Sequence, residues 1–351
     1  MHSRPRELRA AVMTVGPIIT LMQLSKYTSR RTIGIACAII TVAVWSSFII
    51  IARAMAHKTL TPLDIAFVRM VGAGLVMVPW GWWWVRRARE CSDPRVAQMW
   101  LGLSPYPWRI TVTAGLLAAV LYASLAYSGF LYAPAAHASV LMPGMLPLWT
   151  TLIALVVIGT PISGRRWIGL ALIIGGGLLV GGSSLLRAFD GGDVWKGDLL
   201  FLTSSFFWSS YTVMTRKHAM AAIPATIAVC VFASFTFVPV YALLAGTGLI
   251  VSHLYQAPWS EIVFQALVQG IGSVVISGIT FVRMVETFGP IRSTMITAVV
   301  PGLSALGAVL FLGEPLYWNL LLGLALVTIG IVFGVKPVIP VSQINAQLSA
   351  K

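Results

Sequence analysis

Hydrophobic runs of about 19 residues, long enough to cross a bilayer, recur ten times along this chain. They fall near residues 33–54, 62–84, 110–131, 137–158, 166–185, 198–216, 222–245, 262–286, 291–312 and 317–335. Polar positions collect in the short stretches between them. The pattern predicts an all-α polytopic membrane protein with ten transmembrane helices. Helix-entry chemistry supports this reading: in Thr61-Pro62-Leu63-Asp64 the threonine can cap, the proline needs no donor, and the aspartate faces the positive helix end. Ahead of the first run, residues 11–24 are apolar but too short for a span, and Pro17 interrupts them. They read as a surface-lying helix or as an upstream extension from a misplaced start codon, rather than as a cleaved signal peptide. Residues 1–32 are therefore expected to form an amino-terminal tail and residues 336–351 a carboxy-terminal one.

Composition sharpens the class. With 58% hydrophobic residues, 10% charged residues and a mean hydropathy of +0.88, the chain is far from the roughly 25% charge of a soluble domain. The net charge of +14 is then tested as a topology signal. Sorting the 24 Lys and Arg over ten spans puts 19 at one side and four at the other, with Arg69 inside a span. This positive-inside bias predicts both termini in the cytoplasm and an inner (plasma) membrane location. Nucleic acid is not needed to explain the basicity. The run Trp82-Trp83-Trp84 before Arg86-Arg87 reads as an interfacial belt at the cytoplasmic side. Three cysteines, Cys37, Cys91 and Cys230, make neither a disulfide framework nor a CxxC site. No P-loop, GxSxG, HExxH or GxGxxG occurs, so no catalytic residue, no cofactor and no metal site is predicted.

The chain also resembles itself. Trp45-Ser46-Ser47 recurs as Trp208-Ser209-Ser210 at offset 163, which also pairs Gly34 with Gly197 and Arg53 with Arg216. At offset 154, Pro147 matches Pro301, Gly159-Thr160-Pro161 matches Gly313-Glu314-Pro315, and Gly169-Leu170-Ala171-Leu172 matches Gly323-Leu324-Ala325-Leu326. Residues 33–186 and 197–335 are thus predicted to be two five-helix repeats. Five is odd, so the copies would cross the membrane in opposite senses. Such inverted repeats are characteristic of secondary transporters with a substrate site near the midplane.

These motifs resemble the EamA type of the drug/metabolite transporter superfamily: a Trp-Ser in the first span of each half, an Arg in the second span (Arg69), and the Leu-Gly-Glu turn at Leu312-Gly313-Glu314. The resemblance covers about residues 33–335. It implies export of a small organic metabolite, such as an amino acid, by alternating access. The halves depart from each other where Thr160 stands opposite Glu314 and Phe232 opposite Arg69.

Trp45 and Trp208 lie about eleven residues into their spans, roughly 16 Å deep, where an indole suits either a substrate wall or helix packing. Ser46 and Ser209 beside them are suited to hydrogen-bonding a solute or to close helix approach. Tyr122 and Tyr211 add aromatic surface for an amphipathic solute, as do Tyr127 and Trp149. Arg69, about 10 Å inside its span, is a functional candidate able to bind a carboxylate; the alternative is a side chain that snorkels outward. Arg283 and Glu286, spaced i, i+3, and Glu314 in a turn are the candidates for gating or coupling, the alternatives being a structural ion pair for the first two and a turn-fixing role for Glu314. His137 has no second ligand beside it. A multi-span enzyme or lipid flippase at the bilayer surface, or an accessory subunit, is the competing reading. The small-residue face of residues 175–177 fits packing within the chain or a homodimer.

Overall fold

The computed structural model describes residues 5–56, 58–92, 98–186, 192–297, 299–315 and 317–335. Arg4, Arg95, Arg187, Asp190 and the tail 336–351, all used in the topology argument, lie outside them. Among the described residues every regular element is helical. The helices are α1 (Pro5–Met55), α2 (Pro62–Glu90), α3 (Trp108–Tyr132), α4 (Ala135–Ile158), α5 (Gly164–Leu186), α6 (Val194–Lys217), α7 (Ala222–Gly246), α8 (Trp259–Phe288), α9 (Pro290–Leu312) and α10 (Trp318–Val335). The stretch 11–24 continues the first span as one unbroken backbone helix.

Seven of these are long and apolar enough to cross a membrane: α1 over Arg30–Met55, α2, α3, α4, α7, α8 and α9. That is fewer than the ten the hydropathy pattern predicts. Helix α6 is diluted by its serines and threonines, and the apolar run of α10 is shorter, Trp318–Phe333. The entry to α2 folds as its sequence predicts. Thr61 and Asp64 form a reciprocal capping box, with Asp64 accepting from the Thr61 amide at 2.8 Å and Thr61 Oγ1 accepting from the Asp64 amide at 3.2 Å.

Two kinds of irregularity recur in both halves, while a further break, at Thr236 in α7, has no counterpart in α2. Helix α4 breaks between Ala135–Leu141 and Leu146–Ile158, and α9 between Pro290–Ile296 and Val299–Leu312. Helix α3 widens to a π-helical turn over Leu116–Leu121, and α8 over Ala266–Ile276. At offset 154 both kinds of feature fall on one another.

The halves interpenetrate. Helix α1 packs on α8 and α9, while α6 packs on α3 and α4. Helix α2 packs on α8, and α7 on α3. Each contact between the halves thus has a mate with the roles exchanged. The α5–α10 contact makes this concrete through glycine. A Cβ on Gly176 would sit 2.5 Å from the Gly323 carbonyl oxygen, and one on Gly330 would sit 2.6 Å from that of Gly169. Gly169 and Gly323 are repeat mates, as are Gly176 and Gly330, so the pairing is reciprocal. Gly177 likewise abuts Met145, so two of the three small residues at 175–177 pack within the chain.

Candidate functional site

The two indoles at the start of each half meet at the centre of the bundle. Trp45 and Trp208 stand edge-to-face with ring centroids 5.7 Å apart, and both pack on Phe281 of α8, at 4.9 Å and 5.6 Å. Tyr122, the residue after the π-turn of α3, lies 4.8 Å from Trp208, and Tyr211 lies 5.5 Å from it. Between them is a small cavity of about 20 Å³, room for about one water. It is walled by Trp45, Phe48, Tyr122, Ser205 and Trp208, by Met142, Pro143 and Leu146 at the break in α4, and by Val300 at the break in α9.

The helix breaks matter chemically because they free backbone groups in an apolar interior. Two serines of α6 take up carbonyls at the α4 break: Ser205 donates to the Met142 oxygen at 2.8 Å and Ser209 to the Leu146 oxygen at 3.4 Å. Ser209 thereby positions the pocket wall rather than lining it. Ser46 turns back on its own helix, donating to the Val42 carbonyl at 2.8 Å, and is outside the pocket. Tyr211 supports Trp208 from behind and is fully enclosed.

The indoles differ in one respect. Trp45 Nε1–H donates to Ser277 Oγ at 3.2 Å, whereas Trp208 Nε1–H, though buried, has no acceptor.

Arg69 does not snorkel. Its side chain is 3% exposed and its guanidinium is boxed by the rings of Phe48, Tyr122 and Tyr127, with Cζ 5.5, 5.9 and 5.8 Å from their centroids. It donates one hydrogen bond, from Nη1 to Tyr127 Oη at 3.2 Å, and Nε is unpaired. Among the described residues it has no carboxylate partner. Phe48 and Tyr122 are shared between this box and the pocket. Behind it, the α2–α8 contact is close enough that a Cβ on Gly270 would be 2.9 Å from the Arg69 carbonyl oxygen. Gln265 and Gln269 on that stretch of α8 are fully buried with both amide groups unpaired.

The remaining candidates separate to the two ends of the bundle. At one end Arg53 Nε pairs with Glu314 Oε1 at 3.0 Å, Arg53 Nη1 donates to the Phe130 carbonyl at 3.0 Å, and the Ala135 amide donates to the same Glu314 oxygen at 3.3 Å. This one latch ties α1, the α3–α4 connection and the α9–α10 connection. His137 Nδ1 lies 2.9 Å from Asp198 Oδ1, joining the start of α4 to the start of α6. At the other end Arg283 and Glu286 pair at 2.6 Å, and Glu286 also accepts from the Ala222 amide. They rim two cavities. One of about 720 Å³ includes Cys37, Trp84, Arg216 and Ile279, and one of about 580 Å³ includes Arg30, Arg31 and Arg292. Between the larger cavity and the aromatic pocket stands a Thr41–Thr280 hydrogen bond of 2.8 Å and the Trp45–Phe281 contact. Cys37, Thr41, Trp45, Phe48 and Arg53 thus mark successive levels over about 24 Å of α1, from vestibule to pocket to latch.

Ser205, Met142, Pro143, Gln265, Gln269 and the latch role of Arg53 were missed from sequence. Pro143-Gly144 inside an apolar run was the visible signal for the first three.

Comparison with known proteins follows the same halves. The EamA-like transporter family matches residues 32–182 and again residues 195–335. A protein of Archaeoglobus fulgidus described as an "Uncharacterized transporter" is 27% identical over 212 residues, 59% of this chain. The chain spans 66% of that relative, just under two thirds of its length. A solved crystal structure superposes with a TM-score of 0.55 over 87% of this chain and 96% of its own, at 20% identity. That likeness carries the fold alone.

Proposed function

Because the chain belongs to the EamA-like transporter family, and is thus a multi-pass membrane transporter, we propose that it is a secondary transporter moving a small organic metabolite outward by alternating access. The Trp45–Trp208 pocket is its substrate site. Ten spans form two inverted five-helix repeats, the Arg283 end faces the cytoplasm with both termini, and the membrane is the inner one. The observation that carries the reading is that one pocket is walled by the breaks of both α4 and α9. Discontinuous helices at corresponding positions of two halves are where such transporters hold their solute.

The geometry supports a state closed at the Glu314 end and open at the Arg283 end. The latch closes the first, while the cavity of about 720 Å³ opens the second as far as the Thr41–Thr280 hydrogen bond and the Trp45–Phe281 contact. Seating a solute in a pocket that holds one water requires the half-helices of α4 and α9 to part at their breaks. Opposite movement of the two halves would then release the latch and close the basic vestibule. Five arginines and one glutamate around that vestibule favour negative or zwitterionic solutes.

Profiling metabolites in cytosol and medium tests the proposal. Cells expressing the wild type are compared with cells expressing a Trp45→Ala/Trp208→Ala variant at matched membrane levels. A solute class that accumulates outside only with the wild type supports it. Identical profiles for wild type, variant and empty vector contradict it.

A further inference from the structure

Two of the polar groups left over around the aromatic pocket can only donate. Arg69 Nε–H and Trp208 Nε1–H are both buried and both unpaired, and neither side chain can accept a hydrogen bond. They flank one ring: Tyr122 lies 5.9 Å from the Arg69 carbon and 4.8 Å from the Trp208 centroid. A cation that cannot lose its proton, buried without a carboxylate, is costly in a bilayer. Three aromatic faces and one phenol offset only part of that cost.

The fold itself does not require the charge. The repeat mate of Arg69 is Phe232, which fills its corner against Gly115 so closely that a Cβ there would lie 2.2 Å from the Phe232 ring. The Trp208 donor is unpaired for a related reason. Its mate Trp45 is satisfied by Ser277, and the residue 154 positions before Ser277 is Ala123, which offers no side-chain acceptor. Departures from symmetry at two mated positions therefore leave two donor-only groups beside Tyr122, one in the pocket wall and one in the adjoining aromatic box.

We propose that Arg69 and the Trp208 indole anchor an anion, so that the transported solute is an organic carboxylate with an aromatic or apolar body. The body stacks on Trp45, Trp208 and Tyr122, and the carboxylate takes the two free donors by charge-assisted hydrogen bonds. This rests on the aromatic pocket being the transport site.

Equilibrium binding to the purified full chain in nanodiscs tests it with three probes that share one ring and differ in charge: phenylacetate, 2-phenylethanol and phenethylamine. The expected result is that phenylacetate binds about tenfold more tightly than the alcohol, with the amine weakest. In Arg69→Gln that preference collapses, and Trp208→Phe, which keeps a ring and removes the N–H, lowers phenylacetate affinity several-fold. The ligand-free melting temperature of Arg69→Gln should exceed that of the wild type, because an unpaired charge has gone; an arginine holding the fold together would make it fall. If Arg69→Gln does not insert, the wild-type order decides, and Arg69→Lys should keep only part of the preference. The proposal is overturned if the alcohol or amine binds the wild type as tightly as phenylacetate, or if Arg69→Gln keeps the preference. Failure of all three probes to bind the wild type removes the aromatic pocket reading together with the anion site.

Discussion

Arg69 and Phe232 occupy corresponding places in the two halves and could hardly differ more. One is a buried guanidinium with a single hydrogen bond; the other is a phenyl ring pressed onto a glycine. The same contrast separates Trp208 from Trp45, and Glu314, paired with Arg53, from Thr160. Where the halves agree, as in the reciprocal glycine contacts of α5 and α10, the residues pack helices. Where they disagree, they leave charge or an unpaired donor in the interior, or lock one end only. Agreement accounts for the packing, and under the proposed alternating access disagreement marks the places where the two faces of the membrane would be treated differently.

Making the halves alike should therefore have unequal costs. The largest effect is expected from Phe232→Arg, which buries a second unpaired charge where no aromatic box exists. It should destabilise the protein by about 3–5 kcal/mol, read as lost folded yield and a lower unfolding midpoint. The reverse change, Arg69→Phe, should leave stability at or above that of the wild type while abolishing transport. Next comes Gly176→Val, which forces a side chain against the Gly323 carbonyl and Val327. It should cost about 1–3 kcal/mol in the same unfolding measurement.

Smaller still is Glu314→Thr, which copies the residue found at 160. It removes a partly exposed ion pair and the Ala135 hydrogen bond, for about 1 kcal/mol, and should change which end of the pocket is accessible far more than it changes stability. The smallest effect is expected from Gly175→Ala. Nothing lies within 4 Å of a Cβ there, so its midpoint should stay within roughly 0.5 kcal/mol of the wild type.

Much of the architecture was legible because hydropathy and length alone constrain a helix in lipid. The windows at 33–54, 62–84 and 262–286 fall on α1, α2 and α8. The breaks in α4 and α9 were not legible, since a 19-residue average passes smoothly over Pro143-Gly144 and over Thr297. The duplicated Pro147 and Pro301 were seen as a repeat marker without their neighbourhood being read as a pair of breaks. The indole pair was legible from its repeat and its depth. By contrast, the Arg53–Glu314 latch joins residues 261 positions apart, and nothing local to either predicts the other. Ser46 and Ser209 both carry hydroxyls, but a buried serine donates to the nearest backbone carbonyl first, for Ser46 that of Val42 one turn back on its own helix and for Ser209 that of Leu146 on α4. Gln265 and Gln269 are visible as amides within an apolar run, but a hydropathy average does not show that both are buried without partners.

The central claim is that one pocket is reached from one end at a time. It is tested most directly by thiol labelling of Ser205→Cys, a pocket-wall residue, in a background where Cys37, Cys91 and Cys230 are replaced, with impermeant reagent applied to membranes of each orientation. The account predicts that, as the half-helices of α4 and α9 part, labelling comes from the Arg283 end in the latched protein and shifts to the Glu314 end in Glu314→Thr. Equal labelling from both ends, or a pattern unmoved by that substitution, would contradict it.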